Sequence, residues 1–475
     1  LAGTIIVSDI KTDTDNSFVV RANTGNVLFR VTDTGLDTAN SIPSGSITSG
    51  MIADGTVIAA DVADGSITTA KIADGNVTAA KIADGNVTAA KIDTVANTQV
   101  TGTMTTAQVA DSAITTDKLA DANVTIGKLA TTVPLGTKNL IINGAMRIDQ
   151  RSASVTSSAY TVDRWGYYGN LGSKATVAQS STAPTGYTNS LLATSSSAYS
   201  VAATDIFVLR QYIEGNNIAH LDWGTANAKT VTLSFWVRSS LTGTFGGVLK
   251  NAAEDRCYPY SYTISSANTW EQKSITIAGD TTGTWGTGNG SGIQLTFGLG
   301  VGTTYSGTAG AWSGTNYLAS ATGATSVVGT NGATFYITGV QLEVGENATP
   351  FEHRPYDMEL ARCQRYYYKI KGTGGGCIFA TGWNVSTTSA SYSITLPVTM
   401  RTYPTALETS GTATHYQIVH TNTATGCNGV PTYGGETSPE MARVDTTVAS
   451  GLTAGQGSGI RAGNIAAYLA WSAEL

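Results

Sequence analysis

An aliphatic residue stands at every fifth position over a long stretch of the chain: Ile47, Ile52, Val57, Val62, Ile67, Ile72, Val77, Ile82, Val87 and Ile92. The text around them repeats in tens, as DGTVIAADVA from Asp54, DGSITTAKIA from Asp64 and DGNVTAAKIA from Asp74, with Asp84 starting the next copy. Five suits neither regular element. In one straight strand successive aliphatics would fall on opposite faces, and five steps of an α-helix leave them roughly 140° apart. Each Asp-Gly pair supplies a turn, because Gly tolerates positive φ and Asp bonds back to nearby backbone. Every repeat is therefore a bent unit, either strand plus turn or strand plus one short helical turn, and strands are the favoured expectation.

Such a repeat cannot hold itself together. Two large aliphatics contribute roughly 1.5 to 3 kcal/mol each on burial, against roughly 10 to 20 kcal/mol of backbone entropy for ten residues. Three chains around one axis would bring three copies of each aliphatic together, leaving Thr, Asn, Lys and Asp to water, so a homotrimeric shaft is expected. A single-chain β-solenoid is the competitor, with a thin core. After Ile92 the rhythm slips before fives resume at Met104, Val109, Ile114, Leu119, Val124 and Leu129. Ahead of the repeats, IIVSDI, FVVRA and NVLFRVT alternate apolar and polar residues, with Asn23 to Asn26 carrying the turn of a small β-hairpin.

From Lys138 the pattern changes to short alternating runs between Gly- and Ser-rich loops: NLIINGAM, TVDRWGYYG, TVTLSFWVRSS, SYTISS, TWEQKSITIAGD, IQLTFGLGVG and ATFYITGVQLEVG. These read as strands of a two-sheet sandwich. In TVTLSFWVRSS, Val231, Leu233, Phe235 and Val237 form the inward set, while Trp236 falls on the other face. YDMELARCQRYYY, Tyr356 to Tyr368, is the best helix candidate. Beyond it, CIFATGW, YSITLPV, HYQIVH and IAAYLAWSAEL suggest a distal β head.

Composition narrows the function. Charged residues make up 13% of the chain and glycine numbers 54, which favours strands and turns over long helices. The net charge of −6 argues against a nucleic-acid partner, since phosphate binding needs clustered Lys and Arg. Cys257, Cys363, Cys377 and Cys427 are too scattered for a metal motif or a disulfide framework, and are expected as reduced, buried thiols. No run of eighteen apolar residues occurs and the text opens on Leu1, so neither a membrane span nor a signal peptide is visible.

The words NLIINGAM, RW, TLSFWVRSS, TWEQKSITI and YITGVQLEVG, in that order, resemble jelly-roll carbohydrate-binding modules. Joined to ATPFEHRPYDMELARCQRYY and the upstream DGNVTAAKI repeats, they resemble phage tail-fibre proteins, especially those of marine and cyanobacterial phages. The resemblance spans most residues from 44 to 368. It implies a mainly β, elongated homotrimeric fibre in four parts: an N-terminal β attachment segment (1–43), a decapeptide-repeat shaft (44–137), a carbohydrate-binding-module-like β-sandwich (138–355), and a short helix with a distal β head (356–475). It further implies a virion component made in the host cytoplasm. A tail or baseplate protein would hold its N-terminal end, and a host lipopolysaccharide or capsule glycan would bind at the C-terminal end.

Sugar rings stack on aromatic faces while loop polar groups satisfy hydroxyls. Trp165, Tyr167, Tyr168 and Trp223 in the sandwich, and Trp383, Tyr416 and Tyr433 in the head, are the candidate glycan contacts. The competing reading is that these rings fill the core. Tyr366, Tyr367 and Tyr368, spread around a helix, fit trimer packing. His415 and His420, five apart, suit no simple chelate, so no metal or cofactor is expected. Asp222, Glu254, Asp255 and Glu271 would serve glycoside cleavage only if two were held roughly 5 to 9.5 Å apart. No G-x-S-x-G elbow, Walker loop or HExxH occurs. A non-enzymatic adhesin is therefore expected ahead of a purely structural or capsid-decorating fibre and of a polysaccharide depolymerase.

Overall fold

The computed structural model describes strand backbone at 18–21, 27–32 and 35–36, and residues 47–73, 75–82 and 138–475. Val87, Ile92, the later five-spaced positions, the IIVSDI run and the Asn23–Asn26 turn lie outside these. The chain divides into two compact units, Leu1–Val124 and Thr125–Leu475.

In the first unit, strands Phe18–Arg21, Val27–Thr32 and Gly35–Leu36 pair antiparallel in chain order. The repeats that follow are not strands. A 3₁₀ turn closes in each decade, at Ser49–Met51, Ala59–Asp61, Thr69–Lys71 and Ala79–Lys81. A β-turn precedes each of the later three, its third residue being Gly55, Gly65 or Gly75 at φ +79°, +77° and +83°. The reason is local pairing. Hydrogen bonds such as Thr56 N to Ala53 O (3.1 Å) and Lys71 N to Thr68 O (2.9 Å) join residues three apart, and the Lys71 and Lys81 ammonium groups donate to the carbonyls of Ser66 and Asn76. The expectation of strands is thus corrected to two tight turns per repeat, joined by extended residues. In the single chain Ile47, Ile52, Val57, Ile67, Ile72, Val77 and Ile82 are 39% to 58% exposed, and Val62 is half-buried.

The second unit contains a two-sheet antiparallel β-sandwich. One sheet runs Cys257–Ile264, Gly243–Lys250, Ser291–Val301, Ile206–Glu214, Gly166–Gly169, Ala159–Tyr160; the other runs Glu271–Ile277, Val231–Ser239, Thr334–Val344, Ser190–Ser195, Ala175–Ser180. Period-two alternation turns Leu209, Leu295, Phe297 and Tyr262 inward from the first sheet, and Leu233, Phe235, Ile337 and Leu191 inward from the second. Phe235 meets Tyr262 and Phe297 edge-on at 4.9 and 5.1 Å between ring centres. Trp236 is half-buried on the outer face.

NLIINGAM is not a strand. Its asparagines bond backbone elsewhere, Asn139 Nδ2 donating to Val340 O and Asn143 Nδ2 to Ile148 O, while Arg354 donates to its own carbonyls at Ile141 and Asn139. Apolar residues alone suggested a strand; two buried asparagines and an arginine made an irregular path cheaper.

The helix ends at Gln364, short of the tyrosines. It leads into a three-stranded sheet (Tyr367–Lys371, Tyr468–Ser472, Glu408–Thr409) and a seven-stranded one whose inner members include Tyr416–His420, Gly457–Ala462, Ile378–Asn384 and Ser389–Thr395. Both contribute to one core around Tyr392, Ile418, Val444, Leu469 and Trp471. This part is joined to the sandwich by charged groups, of which Glu214, Arg164 and Glu474 are buried and Arg365 is partly exposed. Arg365 grips Glu214 in a two-point pair (2.9 and 2.6 Å), and the Tyr366 hydroxyl donates to the same carboxylate at 2.6 Å. Arg164 lies over the Tyr366 ring at 3.5 Å and pairs with Glu474. Tyr366 and Tyr367 are therefore buried within their own chain, which corrects their assignment to trimer packing; Tyr368 stacks on Trp471.

Candidate functional site

The outward residues of the six-stranded sheet form the floor of a cleft of about 240 Å³. Register places them in rows across the strands: Tyr168 beside Val208, Arg210 beside Thr296 and Val248, and Gln294 beside Lys250. One wall is the segment from Tyr305 to Ala319, which carries Tyr305 and Tyr317. That segment ends on the sheet because Gly246 and Gly298 face Ser320 and Ala321, which directly follow it. A Cβ at either would sit 2.8 Å or less from Ala321 or Ser320, so any larger residue would lift the wall. The wall is fixed by Ala319 N to Tyr305 O (2.8 Å) and Tyr317 N to Glu254 O (2.9 Å), and Tyr317 adopts φ +63° to turn there.

The polar groups of the cleft are unequally satisfied. Lys250 and Glu254 pair at 2.9 Å. Thr296 Oγ1 is engaged by Val248 and Ala319. Arg210 lies between two rings, 4.7 Å from the centre of Tyr168 and 5.1 Å from that of Tyr212. Among the described residues it makes no ion pair. Gln294, 3% exposed, lines the cleft with its Oε1 lacking any protein donor. The cleft thus offers tyrosine faces and a guanidinium beside a buried amide oxygen that has no protein donor.

Of the seven aromatic candidates, only Tyr168 lines this cleft. Trp165 is buried in the core, its Nε1 donating to Asn143 O at 3.1 Å. Tyr167, one residue from Tyr168, points inward, and burial pushes its hydroxyl up to about 12. Trp223 packs edge-on with Trp285 (4.7 Å) and Trp312 (5.4 Å), its Nε1 donating to Lys229 O. Tyr416 is buried, its hydroxyl accepting from Ser410 N and donating to Tyr468 O. Ligand contact by these four is corrected to core packing, since each ring is enclosed by its own chain. In the head, Trp383 is 48% exposed, while Tyr433 is half-buried with its hydroxyl on Pro404 O.

The four acids do not converge on one another through hydrogen bonds: Asp222 pairs with Lys229, Glu254 with Lys250 and Glu271 with Lys273, while Asp255 accepts from Asn251. No group of three or more His, Cys, Asp or Glu able to hold a metal is present among the described residues. Among them, too, no helix is long and apolar enough to cross a membrane. Sequence reading missed Arg210, Gln294, Tyr305 and Tyr317. The signal for Arg210 was available: in IFVLRQYIE it sits on the opposite parity from Phe207, Leu209 and Ile213.

No family model matches the chain, nor does any curated protein. Among solved structures, the enzymatically active domain of tailspike protein 4 of bacteriophage CBA120 is similar at 11% identity and TM-score 0.25, over 44% of this chain and 21% of that one. The CBM22-1–GH10 modules of xylanase 10B from Clostridium thermocellum, complexed with xylohexaose, match at 12% identity and TM-score 0.23, over 46% of this chain and 30% of that one. A family 11 carbohydrate-binding module from the same organism matches at 11% and 0.21, over 42% of this chain and 100% of that one. At such scores the sandwich assignment rests on the sheet order and registers given above.

Proposed function

We propose that the chain is a non-enzymatic phage tail fibre, trimeric along its repeats, whose sandwich cleft holds a glycan of the host surface. The observation that carries this reading is the cleft on the six-stranded sheet, where Tyr168, Tyr305 and Tyr317 border Arg210 and Gln294. Pyranose C–H faces suit tyrosine rings, and hydroxyls suit an amide acceptor without a donor. At about 240 Å³ the cleft is smaller than the roughly 300 to 1,000 Å³ typical of small-molecule pockets. It suits one sugar ring or a chain end, so a single site binds weakly and three sites on one trimer supply avidity.

Glycoside cleavage fits this cleft poorly. It needs two carboxylates flanking the bond, whereas the lining contains one, Glu254, already paired with Lys250. The trimer follows from the shaft: aliphatics exposed in one chain at a regular spacing need partners of the same spacing, which identical chains supply.

The test is binding of the purified chain to host cells, before and after periodate treatment of the cells. Periodate and Tyr168→Ala should each reduce binding at least several-fold. A chain that binds untreated and treated cells alike, or whose Tyr168→Ala variant adsorbs normally, is not using this cleft for glycans. It would then be a structural fibre.

A further inference from the structure

We infer that the sugar held by the cleft carries a carboxylate, recognised by Arg210; the inference rests on the glycan reading above. Three observations converge. Arg210 has no carboxylate partner among the described residues, although Lys250 in the same cleft and Arg164 at the junction each have one. It is held in place without such a partner, between the rings of Tyr168 and Tyr212 at 4.7 and 5.1 Å. Those contacts hold the guanidinium against the rings without using an N–H on a carboxylate, which favours two-point binding of a planar oxyanion. Third, Gln294 contributes a buried acceptor with no donor, which calls for a hydroxyl on the same ligand. An anion alone would leave Gln294 unsatisfied, and a neutral sugar would leave Arg210 unused. A uronic acid or a similar acidic sugar answers both.

The local charge agrees. Glu254 is neutralised by Lys250 at 2.9 Å, so the cleft keeps one net positive charge on a chain whose net charge is −6. Acidic residues elsewhere would repel a polyanion from most of the surface and leave this face as the favourable approach. Host envelope polysaccharides rich in carboxylates would be bound, and uncharged ones of the same linkage disfavoured.

The test uses the full-length chain on arrays of matched oligosaccharides: tetragalacturonate against galactotetraose, and tetramannuronate against mannotetraose. Acidic members should bind about tenfold or more tightly than their neutral partners, with the difference shrinking as ionic strength rises. Arg210→Gln should remove that preference and Arg210→Lys restore part of it. Arg238→Gln, at a guanidinium stacked on Tyr336 outside the cleft, should leave it intact and control for folding. Neutral members bound equally well, or a preference that survives Arg210→Gln, would overturn the carboxylate inference and leave the glycan reading standing. Binding of no member, together with normal cell adsorption by Tyr168→Ala, would overturn both.

Discussion

Replacing Glu214 should unfasten the head from the sandwich. Glu214 is 1% exposed and receives four hydrogen bonds: two from Arg365, one from the Tyr366 hydroxyl at 2.6 Å and one from Asn216 at 2.9 Å. Burial alone would raise its carboxyl, but the hydrogen bonds from Arg365 and Tyr366 outweigh that and hold it below its ordinary value. In Glu214→Ala the Tyr366 hydroxyl, fully buried, loses its acceptor, at about 1 to 3 kcal/mol. Removing one partner of a buried pair costs about 3 to 5 kcal/mol in all. Arg365 is 33% exposed and regains some water, so the loss falls at the low end, about 3 kcal/mol. Glu214→Gln keeps an acceptor for Tyr366 and should lose about 1 to 2 kcal/mol. Guanidinium denaturation followed by tryptophan fluorescence measures both. Because the folded carboxyl is held low, its contribution is complete above the unfolded pKa of about 4.3 and lost as pH falls through the folded value. The gap between wild type and Glu214→Ala should therefore close in acid. An Ala variant within about 0.5 kcal/mol of wild type, the range of ordinary surface changes, would show that water separates the two parts.

Asp163 should act with the opposite sign: burial raises its carboxyl to about 6 against Arg151 and Gln150, so stability falls as pH rises from about 4 to about 6. Asp163→Asn should flatten that slope in denaturation curves taken across the window. A thiol-reactive dye should label Cys377 quickly in the folded protein, since hydrogen bonds from Thr373 hold its thiol low. Cys257, Cys363 and Cys427 are buried and raised by desolvation, and should react only after unfolding.

The alternation of TVTLSFWVRSS and IQLTFGLGVG made the sandwich strands legible, because inward residues of a half-buried sheet repeat every two. Parity could not tell which outer face would stay open. That depended on Gly246 and Gly298 admitting Ser320 and Ala321, and on where the 305–319 segment before them runs. Hence Tyr168 could be singled out but not distinguished from Tyr167, its inward neighbour. The junction was hidden for a different reason: Glu214 and Arg365 lie 151 residues apart, and neither carries a local signature. In the repeats, the period of ten and the glycine turns were legible. The preference for strands failed because each described decade closes two turns with hydrogen bonds between residues three apart, which leaves no run of extended backbone long enough for a strand.

If the five-spaced aliphatics are the seam of an assembly, light scattering on the size-fractionated full chain will show it. The expected particle has three times the 49.0 kDa chain mass and shifts toward monomer when Ile67 and Ile72 are both replaced by Asp. A stable particle of one chain mass, unchanged by that replacement, would contradict the shared core and with it the avidity on which the proposed adsorption depends.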